Sequence, residues 1–464
     1  MLLSNYKNKI LEMSLSRLSY KKLVLLLLVL FFFIYSFFSS NIPQKIDFKH
    51  YLMTFVILSI FILILLNTVN IFSLSFLKQN TLFFIIISVF IYGVFLGFQN
   101  NNNIKNIIRD LISISSILAI FITSYLSQKD NKLLKFLFKL LVFTGLIFSI
   151  KVFIFKVFFH DYNNYPHGNV VQVSKYYFLY LENTIICSLI YFSFKVFDKI
   201  RKKNFYKFLI YLFLLYFPIF VVNDYLLRGP IIFSSFVVFI YALSTKKPIN
   251  ILFPLIFLLF FFKTFLAIII FIFYYFLFNK NYRLFQYGFI FFVFLFLFEH
   301  IFVYEYFGSK YTHSFSEINS LYNKFINIGL NHRVKEFSMF FDKINFVNTF
   351  TLVNEWGLGS LIYNPIIDSH VLFVHHFILF YTYKMGVVGL IFSIFLILLL
   401  LKKTLFFIMN YGRLKADDKY IYLSLLGTLF YPLFFSATYK SVTFGFLIAI
   451  YISLKINKDY EKSI

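Results

Sequence analysis

Apolar residues in this chain fall in long runs separated by short polar segments, not in the amphipathic alternation of a soluble core. A hydrocarbon core of about 30 Å needs about 20 helical residues to cross it, and stretches such as 81 to 98 and 284 to 304 supply that length almost without charge. Backbone polar groups cannot go unpaired in lipid, and the period-two pattern of an outer-membrane barrel is missing, so the expected fold is all-α. With the basic N-terminus placed inside, crossings are predicted near 23 to 40, 51 to 72, 81 to 98, 107 to 126, 134 to 158, 177 to 195, 205 to 223 and 229 to 244. The apolar run 249 to 278, interrupted by Lys263 and flanked by basic residues on both sides, reads as a short hairpin or re-entrant pair. Residues 284 to 304 lead outward, 386 to 401 return, and 420 to 436 with 441 to 455 end inside. The expected architecture is a polytopic membrane helix bundle of about 12 to 14 transmembrane segments with one large extracytoplasmic loop.

This divides the chain into a cytoplasmic segment 1–22, a bundle 23–304, the outer loop 305–370, C-terminal membrane segments 371–455 and a cytoplasmic tail 456–464. The apolar run from Leu23 is followed by Ser39-Ser40-Asn41 with no small-x-small cleavage pattern, so it reads as a retained helix. A net charge of +25 would suit nucleic acid if it formed one patch, but the lysines are scattered between apolar runs, where the positive-inside rule accounts for them. The single Cys187 lies in an apolar run, which excludes a disulfide framework or a thiolate metal site. All nine histidines fall at or beyond the outer boundary, including His160, His300, His313, His370, His375 and His376. A polar, titratable outer face suits an enzyme that works there.

The 305–370 loop is long for a connector, and long loops between spans are functional or disordered. Val334, Phe337, Phe340, Phe341, Ile344 and Val347 recur at helical spacing opposite Lys335, Glu336, Asp342 and Lys343, which predicts an amphipathic helix that could lie on the membrane surface. Three of the seven arginines face outward: Arg109, Arg228 and Arg333. Each could be an interfacial anchor, but Arg228-Gly229-Pro230 opens a helix, where free N–H groups and a guanidinium together suit an anion such as pyrophosphate. Arg333 opens the loop helix. Trp356-Gly357-Leu358-Gly359 then offers an aromatic face for a sugar and glycines that let backbone approach a ligand, or else an ordinary turn. His375-His376 follows, with Gly386 and Gly389 beyond it; adjacent histidines point to different helix faces and make poor co-ligands, so a base or a phosphate contact fits better than a metal. Lys151 and Lys156 are expected to snorkel, Asp224, Glu299 and Glu305 to serve as bases or arginine partners, and Glu182, inside a crossing, to be paired or to face a cavity.

In order and spacing, these features resemble the O-antigen polymerase and O-antigen ligase superfamily of bacterial membrane glycosyltransferases. Arg228-Gly229 resembles that family's Ser-Arg-Gly, with Leu227 at the serine position; Arg333 and Phe340 resemble the start of its outer loop; Gly357 and Gly359 resemble its Gly-x-Gly. His375 resembles the histidine of its His-Asn, with His376 at the asparagine position, and Gly386 and Gly389 resemble its Gly-x-x-Gly. The motifs span roughly residues 220 to 402. The resemblance implies transfer of a glycan from undecaprenyl diphosphate at the outer face of the bacterial cytoplasmic membrane, with no cofactor and no metal. It implies His375, Arg333 and Arg228 as catalytic groups, Arg109, Gly229, Trp356, Gly357, Gly359 and His376 as substrate contacts, and as partners membrane lipids, the carrier-linked oligosaccharide and a chain-length regulator, but no nucleic acid. A polymerase would extend the chain on a lipid-linked repeat unit; a ligase would move it to lipid A core. A flippase or secondary transporter is the alternative from another class, marked by repeated halves, broken helices and ionisable residues near the midplane. A metal-dependent transferase would want more acid in its first outer loop than Asp47.

Overall fold

The computed structural model of the 464-residue chain describes residues 20–34, 48–67, 80–127, 131–158, 170–202, 204–224, 357–364, 369–371, 376–434 and 441–454. Its helices are α1 (20–34), α2 (Phe48–Asn67), α3 (Thr81–Gln99), α4 (Ile104–Ser115), α5 (Ala119–Leu126), α6 (Lys132–Phe158), α7 (Val170–Arg201), α8 (Phe205–Asp224), α9 (Phe377–Met409), α10 (Ala416–Phe434) and α11 (Val442–Ser453). Before α9, β1 (Ile362–Asn364) pairs antiparallel with β2 (Ser369–Val371), Tyr363 opposite His370. The architecture is therefore helical, with this one short ladder among the described residues at the end of the segment expected to be an outer loop and reaching one residue beyond it. Among the described residues four stretches are long and apolar enough to cross a bilayer: Thr81–Gln99, Ile104–Leu126, Lys132–Ile154 and Phe377–Met409. These apolar helices are consistent with a membrane protein.

Apolar side chains face outward as well as inward, as a lipid solvent permits. α1 buries Val24, Leu28, Phe31 and Phe32 and exposes Leu26, Leu30 and Phe33; α3 buries Ile86, Val89 and Phe90 and exposes Ile91, Phe95 and Phe98. α11 differs, being buried on every side from Thr443 to Tyr451. It is the central post of the described bundle. Phe446 meets Phe32 of α1 at 5.0 Å between ring centroids, Ala449 accepts from Thr123 of α5, and Tyr451 shares a hydrogen bond with Thr404 of α9. At its head, Ser441 caps the helix by accepting from Phe444 N–H and also accepts from Asn183 of α7.

Small residues set the closest approaches. A Cβ on Gly145 of α6 would collide with the Thr184 carbonyl of α7, and one on Gly445 of α11 with the backbone of Ser116. Ser116 belongs to a 3₁₀ turn, Ser116–Leu118, that interrupts the crossing expected over 107 to 126. Aromatic pairs fill the remaining seams, as between Phe83 and Phe121 (4.5 Å) and between Phe194 and Tyr420 (5.5 Å).

Basic residues gather where helix ends meet at one end of the bundle. Lys135 at the start of α6 pairs with Asp418 (2.5 Å), and Lys195 near the end of α7 with Asp417 (2.6 Å), both acids lying in the first turn of α10. Carboxylates there also complement the helix dipole. Lys403 of α9 donates to the Leu454 carbonyl beyond α11, and Lys21 of α1 lies over the Tyr125 ring near the end of α5.

Asp198, past the apolar part of α7, is buried between Lys199 and Lys202 (3.5 and 3.1 Å). Burial alone would raise its carboxyl, but the Lys202 hydrogen bond and the two ammonium charges outweigh burial and hold it below its ordinary 3.8. A carboxyl held low by the fold contributes stability that is complete above its unfolded value and is lost as pH falls through the folded one. Asp198→Asn is therefore expected to lower thermal stability of the detergent-solubilised protein at neutral pH, with the gap to the parent closing below 3.8. A gap that stays constant across that acid range would exclude this role.

Candidate active site

The site lies at the end of the bundle opposite the lysine pairs, around the connection between α3 and α4. Asparagines make that connection. Asn101 takes φ +55, which its short polar side chain tolerates, Asn102 N–H bonds to the Gly97 carbonyl, and the Asn103 side chain caps α4 by accepting from Lys105 N–H. In the structure Asn102 reaches 256 residues along the chain, donating from Nδ2 to the Leu358 carbonyl (3.0 Å).

Leu358 belongs to a tight turn, Gly357 to Ser360, seated among α3, α4 and the first part of α9. Gly357 and Gly359 adopt φ +109 and +86, which explains the Gly-x-Gly spacing in backbone terms. Gly97 of α3 matches them: its own Cβ would come within 2.5 Å of the Leu358 carbonyl, and a Cβ on Gly357 within 2.6 Å of Gly97 N. With Gly93 one turn earlier, this face of α3 is shaped to receive another backbone. The fully buried Leu358 side chain is the neighbour that a Cβ on Gly93 would meet after Met385.

Beneath the turn lies an ion pair that the sequence reading missed. Lys384 Nζ is 2.6 Å from Asp110 Oδ2, with the side chains 0% and 2% exposed. Asp110 Oδ2 also accepts from Gly359 N–H (2.9 Å), and Lys384 donates to the Ser360 carbonyl (2.6 Å). The ammonium lies 5.9 Å from the Phe380 ring centroid, which further offsets its burial. The signal was available, since both charges stand in runs otherwise apolar enough to span, where a charge costs about 3 kcal/mol unless partnered. That reasoning was applied to Glu182, whose side chain lies outside the described residues, as does that of Lys156.

Two residues after Lys384, Gly386 breaks α9 with φ +58 and ψ −146, a conformation that side chains exclude. The helix therefore starts at Phe377, not near 386 as expected, and consists of a short segment to Met385 followed by the long one to Met409. The second glycine of the expected Gly-x-x-Gly, Gly389, makes the bend possible: a Cβ there would strike the Tyr381 carbonyl.

Of the residues expected to form the site, Gly357, Gly359, Arg109 and His376 are described; Arg228, Gly229, Arg333, Trp356 and His375 lie outside the described residues. Gly359 meets the helix that carries Arg109, through Ile107 and Asp110, whereas Gly357 packs on Leu96 and Gly97 of α3. Arg109, half-buried beside Asp110, has its guanidinium Nη2 3.0 Å from Asn106 Oδ1. Arg109, Asp110 and Lys384 together carry a formal charge of +1. His376 precedes α9 in extended conformation, half-buried, its carbonyl accepting from Phe380 N–H. It stands eight residues before Lys384, about 12 Å along the helix axis. Among the described residues no three His, Cys, Asp or Glu side chains cluster as a metal site would require.

Gly357→Ala and Gly386→Ala are each expected to cost roughly 1–3 kcal/mol through backbone strain, read as reduced thermal stability in detergent. Gly412→Ala, with open space around it, is expected to match the parent; equal stability of all three would refute the account of the turn and the break. Compared with family profiles, curated proteins and solved structures, the chain matches none.

Proposed function

We propose that this chain is a membrane glycosyltransferase of the polysaccharide-polymerase type, transferring a growing glycan from undecaprenyl diphosphate to a lipid-linked repeat unit at the outer face of the bacterial cytoplasmic membrane. One observation carries the reading: the Gly357-Leu358-Gly359 turn is docked on the segment that bears Arg109. A diphosphate leaving group needs cationic groups beside closely approaching backbone, and a +1 cluster under a glycine turn supports that need. In this proposal Arg228 and Arg333 bind the diphosphate with Arg109, Gly229 and Trp356 contact the donor glycan, and His375 or His376 takes the acceptor hydroxyl proton. The enzyme would have 12 to 14 crossings, both termini cytoplasmic, and a chain-length regulator as partner.

A second reading, transport or flipping of lipid-linked sugar, is favoured by a different observation. A helix broken at Gly386 beside a buried ion pair is a feature of transporters. The surface glycan of a deletion strain separates the readings. Loss of a polymerase leaves single repeat units outside; loss of a ligase strands long polymer on the carrier; loss of a flippase leaves repeat units inside. Complementation with Arg109→Ala, Arg228→Ala or Arg333→Ala is expected to reduce long-chain polymer by roughly tenfold or more at unchanged protein level. Normal polymer length and yield from the Arg228 and Arg333 variants would overturn the assignment.

A further inference from the structure

We infer that the 357–360 turn is a re-entrant plug and that Asp110 and Lys384 form the latch that holds it in its seat. Leu358 N–H donates to the Gly93 carbonyl (3.2 Å), and Gly93 lies six residues inside the end of α3, about 9 Å below the α3–α4 connection. Asp110 lies the same six residues inside α4. Non-helical backbone survives at such depth only where protein satisfies its polar groups.

The turn meets that condition through five hydrogen bonds to its surroundings, with a sixth at the adjoining Leu361. Gly357 and Leu358 N–H go to the carbonyls of Tyr383 and Gly93, and the carbonyls of Leu358 and Leu361 accept from Asn102 and the Tyr383 hydroxyl. The remaining two end on the ion pair: Gly359 N–H on Asp110 and the Ser360 carbonyl on Lys384. The dependence is one-sided. If the turn left, the two charges would still have each other; if the pair were gone, a donor and an acceptor of the turn would be orphaned in a dry site. A buried ion pair that only packed helices together would be replaceable by apolar residues of similar size with little loss. An apolar pair offers nothing to Gly359 and Ser360, so the latch makes a different forecast. Its bearing on glycan transfer rests on the function proposed above; the latch does not.

Cys187, the sole cysteine, is buried, so an introduced cysteine reports alone. In Ser360→Cys the reporter replaces a buried serine and leaves the backbone bonds intact. Labelling by a membrane-impermeant maleimide, relative to the denatured protein, is expected to be slow in this parent. Adding Asp110→Leu with Lys384→Met is expected to speed it roughly tenfold or more, while Asp110→Asn with Lys384→Gln, which keeps an acceptor and a donor in place, stays near the parent rate. Equal protection in all three, or a parent already labelled at the denatured rate, overturns the latch. Should the apolar double not accumulate, Asp110→Lys with Lys384→Asp replaces it. That variant keeps an ion pair but presents the wrong polarity to both backbone groups, so labelling rises if the latch is right and stays slow if it is wrong. Faster labelling with unchanged surface polymer would leave the latch standing and remove its link to transfer; faster labelling with shortened polymer supports both.

Discussion

Everything described at the non-basic end of the bundle depends on one constraint: inside a dry helix bundle, an irregular stretch of backbone needs partners of its own. Asp110 and Lys384 provide them. Each charge is neutralised by the other and spends a further hydrogen bond on the 357–360 turn. The glycines then follow as steric consequences. Gly357 and Gly359 let the chain turn tightly enough to present one donor and one acceptor, Gly97 makes room for it, and Gly386 ends the short helix that carries Lys384.

The sequence made the helical class legible because lipid imposes length and apolarity on every crossing, and those are properties of single segments. Gly357 and Gly359 stood out through spacing, and the backbone angles explain that spacing. What escaped was everything that depends on partners distant along the chain. Asp110, Lys384 and Asn102 carried no expectation, because each acquires its meaning only when residues 256 or more positions apart meet. The break at Gly386 was hidden too, since the apolar stretch on either side carries one uniform helical signal and only φ and ψ distinguish two helices from one.

The two ends of the bundle use charge in different ways. At the basic end, Lys195–Asp417 and Lys135–Asp418 join partly exposed side chains at helix termini, where such pairs contribute little individually and tie helix ends together. At the other end the buried Asp110–Lys384 pair lies within helices and is directed at backbone. Charge at helix termini ties helix ends together, whereas charge within helices holds a turn of backbone between them.

The centrality of α11 bears on how the molecule is made. Its partners include Phe32 of α1, Thr123 of α5 and Asn183 of α7, all of which leave the ribosome hundreds of residues earlier. Those helices are made with the centre of the described bundle unfilled until α11 follows. Packing of the described bundle thus waits on α11, and the earlier helices are exposed to wrong partners in the interval.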